Sequence, residues 1–260
     1  MKPRVSTVES GRLAALTGVL LGAALGFLLF LFFTQVLPSL LYRPPPLPPT
    51  VREENGYYVV TYEWRYPPGL RGKTWRYESR IPKEAYWFFR NRPRVHDYKE
   101  YVDNPADDQW IAHLAGLLEN AARGEGWEEL ERVDFVLAFV QGWPYTSDSV
   151  TTGYDEYPRY PIETIVDGGG DCEDTSILFS SLMKALGHGV VLLLLEEDRH
   201  MAVGVEIPQS VVEGWSRGYP LTYYSYAGRL YAYCETTGGG WRVGQRPEGL
   251  RSTSARLIPV

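Results

Sequence analysis

The chain has 260 residues, 44% of them apolar and 14% aromatic, enough to bury a sizeable core and unlike a disordered or fibrous composition. Its formal net charge of −6 lacks the basic footprint of a nucleic-acid binder, and no nucleic-acid partner is expected. Two cysteines are too few for a disulfide framework, so structural bridges do not mask a chemical role for a thiol.

Residues 1–12 read as a short N-terminal segment carrying Lys2, Arg4 and Arg12. Residues 13–37 hold no charged side chain and exceed the ~20 residues that span a bilayer, which predicts one transmembrane helix in contact with membrane lipid. No small-x-small cleavage site follows it before Pro38, which argues against a removed signal peptide. The nearest positive charge after the span is Arg43, so the positive-inside rule leaves the N-terminus in the cytoplasm. That predicts a single-pass protein of the cell membrane with its domain extracytoplasmic. Residues 38–55 are a linker, stiffened by Pro44-Pro-Pro-Leu-Pro-Pro49 into a polyproline spacer.

Residues 56–106 read as a hairpin and short-helix subdomain. Gly56–Tyr66 alternates like a half-buried strand, Pro67-Pro-Gly69 turns the chain, Lys73–Ile81 is the partner strand, and Pro82–Arg90 a short helix with Pro at its start. The aromatics here fit a sheet packed on the core better than the wall of a cleft. Residues 107–260 read as the catalytic domain. Asp107–Asn120 and Trp127–Gln141 have helical periodicity, and 142–167 is a long ordered loop of the kind that shapes a site. His113, on the first helix, has no neighbours at metal-ligand spacing.

That loop leads into Gly168-Gly-Gly-Asp171-Cys172-Glu-Asp-Thr175. The glycines permit a tight turn, Asp171 suits the N-cap, and Ile177, Leu178, Leu182 and Met183 repeat at helical spacing before Gly187. Cys172 then sits in a first helical turn, where the helix dipole favours thiolate. The helix carries the chain roughly 20 Å away. The apolar strand Val190–Leu195 returns it, and Glu196–Arg199 turns it near the level of the thiol. His200 opens the strand Met201–Ile207, and the strand ending at Glu235 comes back beside it. Thiol, imidazole and carboxylate converge as nucleophile, base and orienting group: Cys172, His200, Glu235. Cys234 and Glu235 point to opposite faces of their strand, which disfavours a Cys172–Cys234 disulfide and makes Cys234 a core residue.

The motifs Gly-Gly-Asp-Cys172-Glu-Asp, His200-Met-Ala-Val-Gly and Tyr-Cys-Glu235-Thr-Thr resemble the transglutaminase-like superfamily, of papain-like cysteine protease fold. Phe139-Val-Gln141-Gly-Trp143-Pro-Tyr145 and Thr152–Thr164 are similar to its prokaryotic, mainly archaeal, membrane-anchored members. The resemblance implies an α+β fold whose nucleophile helix packs on an antiparallel sheet. It also implies cysteine-dependent acyl transfer at peptide or side-chain amides, without a cofactor. Gln141 and Trp143 are then the candidate oxyanion side chains beside the Cys172 backbone N–H, with a plain core role the other reading of Trp143. Asp171 helps shape the site. Glu235 stands where Asp is commoner, and the further domains of calcium-dependent animal enzymes are absent from the sequence. Asp155, Glu156, Asp167, Asp171 and Asp174 lack the spacing of a calcium loop, and no metal is expected. Water rather than an amine is expected to resolve the thioester, giving a peptidase or amidase on a protein or peptide substrate. The alternative is a non-catalytic cell-surface binding or scaffold module of the same fold.

Overall fold

A computed structural model describes residues 22–36, 48–68, 72–147, 157–252 and 254–260. The chain divides into two compact units, Met1–Pro45 and Pro46–Val260. In the first, residues 22–31 are α-helical and Phe32–Val36 continue as a π-helix, with Leu25, Phe27, Leu28, Phe30 and Phe33 exposed. Among the described residues no helix is long and apolar enough to cross a membrane. Residues 13–21 and 37 of the predicted span lie outside the described residues.

The second unit is α+β, with two antiparallel sheets. β1 (Thr50–Glu54), β2 (Tyr57–Tyr66) and β3 (Lys73–Pro82) form a meander, followed by α1 (Lys83–Arg90) and α2 (Lys99–Val102). Next come α3 (Asp108–Gly124), α4 (Glu129–Gln141), α5 (Pro161–Asp167) and α6 (Cys172–Ala185). β4 (Val190–Leu195), β5 (His200–Ile207), α7 (Gln209–Glu213), β6 (Tyr223–Tyr226), β7 (Arg229–Cys234) and β8 (Arg256–Pro259) complete it, in the sheet order β6-β7-β5-β4-β8.

The continuous apolar run of β4 reflects burial on both faces. Val190 and Leu192 join the main core under α6, whereas Val191, Leu193 and Leu195 join Ala202, Tyr231 and Tyr233 in a second cluster. Leu250 and Leu257 of the C-terminal segment pack on that second cluster, and β8 pairs along the edge of β4. α6 packs on β5 and β4, and α3 and α4 pack on it and on each other. The meander aromatics are buried against α4: Tyr62 stacks on Trp143 at 4.2 Å between ring centroids and meets Phe139 edge-on at 5.2 Å. The Tyr62 hydroxyl donates to the Phe139 carbonyl at 2.8 Å.

Four elements depart from the sequence reading. Thr50–Glu54, expected within the 38–55 linker, is β1, joined to β2 by an Asn55-Gly56 turn with φ of 46° and 83° at its two residues. Asn-Gly is the strongest short hairpin signal, and the neighbouring prolines hid it. The expected 142–167 loop ends in α5, with Pro161 at its start. The polar aromatic stretch before β7 contains β6, and the C-terminal cover contains β8. Both are four-residue edge strands, too short for a period to show.

A buried ionic network ties α1, α5 and α6 together. Arg159, fully buried, pairs with Asp174, and its Nε lies 3.1 Å from Asp167. Tyr86 donates to Asp167 at 2.8 Å and Arg90 at 3.0 Å, while Arg94 reaches Glu163 at 2.7 Å. Removing one partner of a buried pair strands the other charge without water. Arg159→Ala is expected to lower the stability of residues 46–260 by about 3–5 kcal/mol, read from urea unfolding midpoints. A change below about 1 kcal/mol, the range of exposed pairs, would show that the network is not a structural clamp.

Candidate active site

α6 starts at Cys172 because Asp171, in extended conformation, closes a capping box with Asp174: the Asp171 backbone N–H donates to the Asp174 carboxylate at 3.2 Å. Asp174 also accepts the Arg159 backbone N–H at 2.7 Å. The glycines ahead of it are demanded by crowding. A Cβ on Gly169 (φ 150°) would fall 2.3 Å from the Pro144 carbonyl oxygen, and one on Gly170 2.3 Å from the Asp174 carboxylate. This close approach lets Gly170 donate to Pro144 at 3.2 Å and accept from Thr146 at 2.9 Å, so residues 144–146 run beside the entry to α6.

On the sheet, Leu195 of β4 pairs with His200 of β5, and Val203 pairs with Cys234 of β7. The start of β5 and the end of β7 therefore meet at one end of the sheet. His200 Nε2 lies 3.0 and 3.1 Å from the two Glu235 carboxylate oxygens, which leaves Nδ1 as the other ring nitrogen. Glu235 is almost fully buried and also accepts from the Tyr233 hydroxyl at 2.7 Å, the Thr237 hydroxyl at 2.7 Å and the Thr237 N–H at 3.0 Å. Burial alone raises its pKa, but the bonds from His200, Thr237 and Tyr233 outweigh burial and hold it below the usual carboxylate range. A hydroxyl cluster registers helix against sheet: Thr236 lies 3.0 Å from both Thr175 and Ser176, and Ser176 donates to the Met201 carbonyl at 3.3 Å.

Cys172 and His200 line one cavity of about 550 Å³, with Asp171, Glu173, Tyr98, Tyr145, Ser147 and the turn Glu196–Met201. Glu235 stands behind His200. Both cysteines are free and Cys234 is fully buried in the core, so there is no disulfide between them. Residues 148–156, including Asp155 and Glu156 and the start of the 152–164 motif, lie outside the described residues.

Two expectations are corrected, those for Gln141 and for the Cys172 thiol, and of the two readings of Trp143 the core one fits the structure. Gln141 is not an available oxyanion donor: its Nε2 donates to the Glu235 and Trp241 carbonyls at 2.7 and 2.9 Å, and its Oε1 accepts from Gly240 at 3.1 Å. It instead holds the chain just beyond β7. Trp143 is a core residue stacked on Tyr62 and does not line the cavity. The Cys172 thiol is pushed up rather than down. Burial contributes most, followed by the charge of Glu173, whose carboxylate accepts from Sγ at 3.2 Å, while the Met201 backbone bond acts in the opposite direction. Burial and a carboxylate in contact with the sulfur both oppose the thiolate that a helix N-terminus would favour. Sequence reasoning passed over Glu173 because an acid in a first helical turn ordinarily only complements the dipole.

Two outcomes follow. Gln141→Ala orphans the buried Glu235 carbonyl and leaves the part-buried Trp241 carbonyl and Gly240 N–H without their partner, and is expected to cost about 1–3 kcal/mol in unfolding free energy, whereas an oxyanion role would leave stability unchanged. For Glu235, whose folded pKa is depressed, the stabilisation is present above its unfolded value near 4.5 and is lost as pH falls through the folded one. The gap in urea midpoint between wild type and Glu235→Gln should therefore be constant above about pH 5 and shrink below about pH 4.5. A gap that persists to lower pH would remove Glu235 as the titrating group.

No family profile matches the chain, and no curated protein matches it. Among solved structures it is similar to LapG of Legionella pneumophila, at 16% identity and a TM-score of 0.32 over 68% of this chain and 81% of that one. EGTA-treated LapG gives 15% identity and 0.32 over 68% and 78%, and calcium-bound LapG gives 19% and 0.26 over 59% and 81%. Likeness at this level is of distant backbone arrangement and carries no argument about the side chains around Cys172.

Proposed function

We propose that the chain is a membrane-anchored thiol enzyme of transglutaminase-like type, acting on peptide or side-chain amides through Cys172, His200 and Glu235. The observation that carries this reading is a thiol and an imidazole facing one cavity, with the imidazole Nε2 held 3.0 Å from a buried carboxylate. His200, oriented by Glu235, takes the thiol proton on Nδ1, and Sγ attacks the amide carbon. The Cys172 backbone N–H, at the α6 N-terminus, holds the resulting oxyanion. The imidazolium then protonates the departing amine, and the thioester left on Sγ is resolved by water, making the enzyme a peptidase or amidase. In this reading residues 107–260 carry the chemistry, residues 13–37 the membrane anchor, and the domain is extracytoplasmic.

One observation favours a second reading, a non-catalytic binding module: the Glu173 contact keeps the resting thiol protonated. Alkylation by iodoacetamide separates the two. With Cys234→Ala as background, modification of Cys172 at pH 7 should be about tenfold or more faster with His200 than with His200→Ala, because a neutral thiol reacts only as a base removes its proton. Equal rates in the two proteins would end the catalytic reading and leave the binding module.

A further inference from the structure

The Cys172 sulfur is in contact with the Glu173 carboxylate at 3.2 Å, and among the described residues no Lys, Arg or His forms an ion pair with that carboxylate. Glu173 belongs to the first turn of α6 and is part-buried in the cavity wall. Burial does most to raise its pKa and the charge of Asp174 adds to that, while hydrogen bonds from Asp171, its own backbone N–H and the Cys172 thiol act in the opposite direction. The other acids of the lining are engaged. Glu196 pairs with Arg256 at 3.0 Å, Asp198 accepts the Arg251 and Ser252 N–H groups at 3.0 and 2.8 Å, and Asp171 hydrogen-bonds Glu173 itself. Arg199, the basic residue of the lining, is exposed, so water and salt screen it more than they screen Glu173. Two tyrosines, Tyr98 and Tyr145, also belong to the lining, and aromatic faces attract cations.

A partly desolvated carboxylate without an ion pair is costly, and here it is held by hydrogen bonds alone, from Asp171, its own backbone N–H and the very thiol that has to lose its proton. We propose that the cleft selects substrates carrying a positively charged group, ammonium or guanidinium, beside the attacked carbonyl, and that Glu173 receives that group. The inference rests on the thiol-enzyme reading above and deepens it with a substrate class. A cation seated on Glu173 occupies the lone pair that Sγ uses and cancels the charge that opposes ionisation. The thiol proton is then free to pass to His200. Substrate charge thereby supplies part of the activation, and an amide without it meets a nucleophile still bonded to its neighbour. Lysine and arginine side chains and a free α-amino group all provide the required chemistry.

Three chloromethyl ketones test the idea on the full chain in detergent: N-blocked lysine, N-blocked leucine and unblocked leucine. In each, Sγ displaces chloride to form a thioether, and modification of Cys172 is followed by intact mass in the Cys234→Ala background. Either cationic reagent is expected to react about tenfold faster than N-blocked leucine, after division by its rate with glutathione. Which of the two leads distinguishes a side-chain cation from a free N-terminus. Glu173→Gln should reduce the preference to within about twofold while raising the rate with N-blocked leucine, opposite movements that a merely structural role would not produce. Glu173→Asp, which keeps the charge, should restore part of the preference and guards against misfolding of the amide variant. Equal rates for the three reagents in wild type, or a preference that survives Glu173→Gln, would overturn the proposal. A Glu173-dependent preference combined with rates indifferent to His200→Ala would keep the cation site and sink the thiol-enzyme reading instead.

Discussion

The guanidinium of Arg159, fully buried, bridges Asp174 of α6 and Asp167 of α5, and the position of Cys172 follows from it. Asp174 is also the acid that caps α6 through the Asp171 N–H, so one carboxylate both starts the helix and anchors the loop that enters it. Such buried pairs add little net stability compared with apolar packing. What they add is geometry: a charge in a dry interior tolerates few arrangements, so the residues that it bridges are held in place. The crowding at Gly169 and Gly170 has the same origin, since the backbone must pass close to Pro144 and Asp174 for the clamp to close.

Across the helix-sheet seam the registration is made by small neutral groups. Thr175 and Ser176 from α6 meet Thr236 beyond β7, and Ser176 reaches the backbone of Met201. These residues are the sequence neighbours of Glu235 and His200. The spacing of thiol, imidazole and carboxylate is therefore set by short-range bonds between the three segments that carry them, while the longer charged side chains hold the periphery.

How much of this could be read from the chain alone follows from the range of each interaction. The helix after Cys172, the apolar run of β4 and the return of β5 and β7 are written in local periodicity, and chain direction alone carries their ends to one place. The role of Gln141, the choice between the two readings of Trp143 and the influence of Glu173 are not legible in the sequence, because they depend on partners distant in sequence or on the local field. Gln141 bonds to Glu235, Gly240 and Trp241, Trp143 stacks on Tyr62, and Glu173 competes with a helix dipole that is easier to see in a motif. The buried Arg159 was hidden for a similar reason: in a stretch rich in proline, tyrosine and acids, nothing local marks one arginine as interior.

Gln141 also joins two regions that look unrelated. It is the last residue of α4, the helix on which the meander aromatics lie, and its amide grips the backbone of Glu235. The Glu235 carboxylate is thus tied to the buried aromatic core, through Tyr62, Phe139 and the C-terminal turn of α4. At the cavity Tyr145 and Arg199 are exposed, whereas Glu235 behind the imidazole is almost fully buried. Exposed segments open at lower free energy than a packed core, so motion at the rim is expected to leave the carboxylate behind His200 in place.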